Sequence, residues 1–171
     1  MQCYISAGPM SLAEWFQWLE QTPFSTAIAE SNWLFPILEG SHILALPLSV
    51  GMIVIFDLHL LGLALTGSRA ATVMKEMLRW SKFGFAVMFI TGGLLLMCHA
   101  GRAYGNTFFR FKMIFLLVLG INAAVYQVVF FPKMPQWSAG RVPAGAKFCA
   151  VLSLIVWIGV IVCGRTMAYQ F

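Results

Sequence analysis

Four long runs of apolar residues, at about 33–64, 82–104, 108–131 and 144–164, constrain this chain more than any other feature. About 20 consecutive apolar residues cross a bilayer core, so each run reads as a membrane span, and almost nothing is left for a separate extramembrane domain. Of the 171 residues, 60% are hydrophobic and 10% charged, whereas ordinary soluble domains are about 25% charged. A soluble globular protein is excluded. The expected fold is all-α: residues 1–171 form one polytopic membrane domain, a four-transmembrane-helix bundle with interfacial helices at its N-terminal end.

The net charge of +5 does not point to nucleic acid. The basic residues sit in the short connections, where lipid headgroups and topology account for them. Cys3, Cys98, Cys149 and Cys163 form no CxxC or zinc-like spacing and read as small buried side chains. The opening MQCYISAGPM has no basic stretch and no cleavage site behind an apolar core, so no removable signal peptide is expected. Ser11 and Glu14 fit a capping box, and Leu12, Trp15, Phe16 and Leu19 recur at helical spacing. A second short piece begins at Thr22-Pro23 and carries Phe24 and Ile28 toward the membrane or the bundle. Residues 11–32 therefore form an amphipathic collar on one surface.

The first span exceeds a minimal crossing and holds Pro47, which predicts a tilt and a kink. The connection 65–82 carries Arg69, Lys75, Arg79 and Lys82 against Glu76 and is read as containing a short surface helix. Gly84, Gly92 and Gly93 in the second span permit close helix contact. Asn122 and Tyr126, four apart on the third span, share a face and are expected to tie helices together. Trp15, Trp18, Trp33, Trp80 and Trp137 fall at predicted boundaries as interfacial anchors. Seven of the eleven Lys and Arg lie in the connections at 65–82 and 132–147, while Arg102, Arg110, Lys112 and Arg165 lie on the other side. The positive-inside rule then places both termini outside, in a periplasm-like space.

Ionisable groups inside spans are costly, so those present are functional candidates: Glu39, His42, Asp57, His59 and His99. His42 and His99 lie near the outer ends of consecutive antiparallel spans, which predicts a common depth. His59 is 17 residues from His42, about 25 Å away along a helix. EGSH puts Glu39 three residues above His42, and HAGR puts Arg102 three above His99. Arg110 and Lys112 enter at the same end. Two imidazoles with cations above them match the axial ligands and propionate partners of a single b-type haem, with Glu39 or Ser41 to orient a ligand ring. The alternatives are a structural polar cluster, with Glu39 pairing Arg102, and a non-haem metal. The Glu39-x-x-His42 spacing matches di-iron bundles, but the carboxylates such a site needs are missing. Asp57 is expected to form a salt bridge with Lys82, Arg141 or Lys147 near the inner surface, with proton transfer as the alternative role. No nucleophile elbow, phosphate loop, zincin or nucleotide fingerprint is present, so no catalytic residue is assigned.

The segments SLAEWFQWLEQTP, EGSHILALPLSVG, FDLHLLG, RFKMIFLLVLGINAAVYQ and GRTMAYQF resemble a family of small four-helix bacterial inner-membrane proteins of unknown function. The layout is also similar to four-helix membrane b-type cytochromes and the copper-resistance membrane proteins related to them. Those proteins hold two haems with more histidines than the three present here, so the resemblance implies one haem b, at His42 and His99.

The function expected from the sequence is a one-haem membrane cytochrome b that passes electrons between the quinone pool and a periplasmic redox partner. His42 and His99 are the expected iron ligands, Arg102, Arg110 and Lys112 the propionate partners, and Glu39 the tuning residue. The protein supplies ligation and electrostatics and is not a complete enzyme alone. The alternative is a cofactor-free accessory or assembly subunit of a larger membrane complex.

Overall fold

A computed structural model describes residues 10–65, 70–136 and 142–169. Cys3, Arg69, Trp137, Arg141 and the last two residues of GRTMAYQF lie outside the described residues. Ser11 and Glu14 form the expected capping box: the Ser11 N–H donates to Glu14 Oε2 at 2.8 Å, and the Glu14 N–H donates to Ser11 Oγ at 3.3 Å. These reciprocal bonds start α1 (Leu12–Glu20). Helix α2 (Pro23–Ala29) begins with proline at its first position, and Thr22 Oγ1 accepts from the Ser25 N–H.

The first span joins α3 (Leu34–Leu46) to α4 (Met52–Leu60) through a π-helical turn, Pro47–Gly51. Pro47 has no N–H to give to the carbonyl one turn back, and the turn widens around that gap. The Ser49 hydroxyl donates to Ala45 O at 2.7 Å within it. Helix α5 (Ala70–Cys98) is continuous for 29 residues. The surface helix expected in the 65–82 connection is instead the inner extension of the second span; MKEMLRWSK has the spacing to continue the helix and no breaker to stop it. At the outer end α5 stops at Cys98, and α6 (Ala100–Gly105) follows after His99, whose φ of −136° is non-helical. Helix α7 (Thr107–Val125) starts at an Asn106 cap and runs into a second π-helical turn, Tyr126–Phe130. Helix α8 (Ala144–Ala168) closes the chain.

Leu34–Leu60, Lys75–Cys98, Thr107–Lys133 and Ala144–Ala168 are long and apolar enough to cross a membrane. The protein is a polytopic all-α membrane protein. The first span packs on α5, α7 packs on α8, and α4 joins the two pairs through α8. The α3–α5 seam is tight because Gly84 brings its backbone onto the first span: a Cβ there would lie 2.8 Å from Ser49 N. Ser81 Oγ donates to Ser49 O across the same seam at 2.9 Å. Gly159 of α8 receives the Phe115 ring in the same way. One core cluster gathers Val50, Leu119, Val156, Trp157 and Val160. A second, toward the inner end, gathers Phe56, Leu60, Tyr126, Ala146, Cys149 and Ala150. Cys98, Cys149 and Cys163 are free and buried, as expected. Trp15, Trp18, Trp33 and Trp80 are exposed.

Candidate functional site

His42 projects from α3 onto α5, where Nδ1 lies 2.9 Å from Thr91 Oγ1 and Cε1 lies 3.0 Å from where a Gly92 Cβ would be. Thr91 is buried and its hydroxyl sits 2.7 Å from Val87 O. A hydroxyl has one proton and a carbonyl can only accept. The Thr91 proton therefore goes to Val87 O, and Thr91 Oγ1 accepts from His42 Nδ1–H. In the neutral ring with its proton on Nδ1, Nε2 carries the lone pair, the arrangement that hydrogen-bonding partners behind the ring give to histidine ligands.

The other predicted site residues are distributed around this ring. Lys112, half-buried on α7, lies within electrostatic range of His42, and its Nζ rests over Gly164 of α8. These two of the six are brought together. His99 stands at the break between α5 and α6, and its ring meets Phe35 edge-on at a centroid distance of 5.4 Å. Phe35 faces His99 and His42 faces Gly92, so a single antiparallel register governs both contacts. On α5 the level opposite His42 is residue 92, seven residues short of His99, or about 10 Å along the axis. The common depth expected of the two histidines is thereby corrected: the Gly84 and Gly92 contacts lock the register, and the pairing of consecutive spans alone does not fix it.

The cations are engaged elsewhere. Arg102 Nε is 3.9 Å from Glu20 Oε1, so the carboxylate paired with it comes from α1, not from Glu39, which is exposed on α3. Glu20 Oε2 also accepts the Gly101 N–H at 2.7 Å. Arg110 donates from Nε and Nη2 to Tyr104 O, both at 3.3 Å, and lies over the Tyr104 ring at 5.5 Å. Phe16 stacks on the other partner of this corner, Tyr104, at 5.1 Å, and Ser25 Oγ donates to Met97 O at 2.8 Å. The collar is thus bolted onto the α5–α6 break. Sequence reasoning missed Glu20 and Thr91. Glu20 carried one signal, being the acidic end of an amphipathic helix with no basic partner on its own face; Thr91 carried none.

Near the inner end, His59 Nδ1 lies 3.1 Å from Ala64 O. Asp57 does not make the expected salt bridge among the described residues: Arg79–Glu76 and Arg102–Glu20 are the ion pairs there. Its carboxyl is buried against α8 instead, beside the Ser153 hydroxyl. Asn122 Nδ2 donates to Cys149 O at 3.0 Å and ties α7 to α8 as expected, whereas Tyr126 packs edge-on against Phe56 at 5.4 Å. A groove between α7 and α8, lined by Ile121, Val125, Phe148 and Leu152 among others, is apolar and separate from the His42 cluster.

Four spans, an N-terminal collar and a histidine set into the first helix seam define a small integral-membrane protein of the four-helix class. The chain belongs to the DUF6644 family, a family of unknown function, whose model matches residues 15–170. No curated protein and no solved structure matches the chain.

Proposed function

We propose that the protein is a cofactor-free accessory or assembly subunit of a larger complex in the bacterial inner membrane, with both termini on the periplasmic side. One observation carries this reading: the His42 ring itself occupies the space that Gly92 leaves between α3 and α5. With Gly84 against Ser49 N, the two helices meet as a closed seam, and a macrocycle would have to enter where they touch. Arg102 and Arg110 support the same reading, since Glu20 and Tyr104 engage the groups that propionates would need. The inner-side excess of Lys and Arg supports the orientation.

A second reading keeps the one-haem cytochrome b between the quinone pool and a periplasmic redox partner, with His42 and His99 as ligands, Arg102, Arg110 and Lys112 on the propionates, and Glu39 orienting the site. The observation in its favour is the Thr91 hydroxyl 2.9 Å from His42 Nδ1, a contact of the kind that orients histidine ligands. The residues as packed do not fit that group, because His99 lies seven residues beyond the level of His42 on the seam, an axial offset of about 10 Å, and no electron-transfer step is derived through it.

The reduced-minus-oxidised absorption spectrum of protein expressed with ample haem separates the two. A featureless spectrum, together with migration well above 19.0 kDa on native gels of its own membranes, is the expected result. A b-type α-band lost in both His42→Ala and His99→Ala would overturn the accessory reading and establish the cytochrome.

A further inference from the structure

In the inner half of the bundle, two buried polar atoms find no hydrogen-bonding partner among the described residues: Asp57 Oδ2 and the Tyr126 hydroxyl. Asp57 is 5% exposed, Tyr126 8% and Ser153 5%. They come from three helices, α4, the π-helical end of α7, and α8. The Ser153 hydroxyl lies near the Asp57 carboxyl, and the Tyr126 hydroxyl lies within its electrostatic range. Phe56, the residue before Asp57, packs its ring on Tyr126. The orphan oxygen and the orphan hydroxyl therefore belong to one polar pocket in the apolar inner cluster.

A carboxylate in such a place would need a counter-charge, because an uncompensated buried charge is far costlier than a neutral hydrogen-bonded group. None faces it. On α5, Lys75, Glu76, Arg79 and Lys82 are exposed, and Arg79 pairs with Glu76. On α8, Lys147 is exposed, and the Cys149 thiol lies within electrostatic range of the carboxyl. On its own helix, His59 is turned to Ala64 O. From the π-helical turn after α7 comes the Tyr126 hydroxyl.

We propose that Asp57 is a membrane-embedded proton-binding site, carrying a proton taken from the aqueous phase at neutral pH, with Tyr126 as its hydrogen-bonding partner through a bridging water. The uptake converts a carboxylate and a hydronium into a carboxylic acid and a water. It turns the orphan Oδ2 into a neutral donor or acceptor and gives the Tyr126 hydroxyl a partner, which a buried polar cluster of this kind demands.

Asp57 is the sole aspartate in the chain, so an aspartate isotope label reports this residue alone, in the unmodified protein. Protein grown on side-chain-carboxyl-labelled aspartate, reconstituted in lipid vesicles and compared by infrared spectroscopy with unlabelled protein at neutral pH, should show the label in a carboxylic-acid carbonyl stretch. A label found in the carboxylate stretches would overturn the proposal. Tyr126→Phe should shift that carbonyl stretch while Tyr104→Phe leaves it in place; an unmoved band in Tyr126→Phe would remove Tyr126 from the site.

Discussion

Gly84 and Gly93 show how much one β-carbon decides. At Gly84 a methyl group would meet Ser49 N at 2.8 Å, a backbone atom that cannot swing away, whereas at Gly93 nothing lies within 4 Å. Gly84→Ala should destabilise the protein by about 1–3 kcal/mol, the usual cost of overpacking, while Gly93→Ala should be neutral or slightly stabilising through helix propensity. Thermal unfolding in one detergent compares the two, and equal midpoints would contradict the seam. That glycines in the second span allow close approach was legible in the sequence. Which ones do so was not, because Gly92 and Gly93 differ only by the 100° turn between successive residues, and the partner face is chosen by packing. The same holds for His42 and His99: their helices and their outer positions could be read from the chain, but their levels depend on a register that only the seam fixes.

The collar helices carry their own local logic. Ser11 holds the Glu14 carboxyl below the ordinary carboxylate range, first through its backbone N–H and then through its hydroxyl. A group lowered on folding stabilises α1 above its unfolded pKa, and that contribution is lost as pH falls through the folded value. Amide protection in α1, after correction for the intrinsic exchange rate, should fall in acid, and Glu14→Gln, which removes the titrating group, should flatten the dependence. Glu20 acts at the other end of the helix, where its bonds to Gly101 N–H and Arg102 fasten α1 to α6. Hydrogen bonds to a charged group contribute about 1.5–3 kcal/mol, so Glu20→Ala should raise exchange across α1 by roughly one to two orders of magnitude and leave the spans protected; uniform exchange in the variant would contradict this anchor. The capping box was written in the sequence because its partners are three residues apart. The Glu20 contact spans 81 residues, a distance no local pattern encodes. The merging of the expected surface helix into α5 reflects the same limit, since charge marks where a helix leaves the membrane and not where it ends.

Across the whole molecule, the count and approximate extent of the spans followed from hydropathy alone, as bilayer thickness demands. An even number of spans puts the two ends of the bundle sequence on one side, which the proposed orientation takes to be the periplasm. A phosphatase reporter active only in the periplasm should be active when fused after Ala168 and inactive when fused after Leu65; the reverse pattern would invert the orientation. Asp57 was visible in the sequence as an intramembrane acid, but its partners were not. The sequence points to neighbouring lysines, and the fold turns the carboxyl inward to Ser153.

The pairing of α7 with α8, and of the first span with α5, has a consequence for biosynthesis. Chains emerge N-terminal part first, and the Gly84 seam joins two helices that are both complete before α7 is made. The first hairpin can settle in the bilayer while the ribosome is still translating the second, which then docks through α4 and α8. A defect at Gly84 would strike the nascent chain early and expose it to membrane proteases. A defect at Gly159, where α8 receives Phe115, would strand only the finished last hairpin.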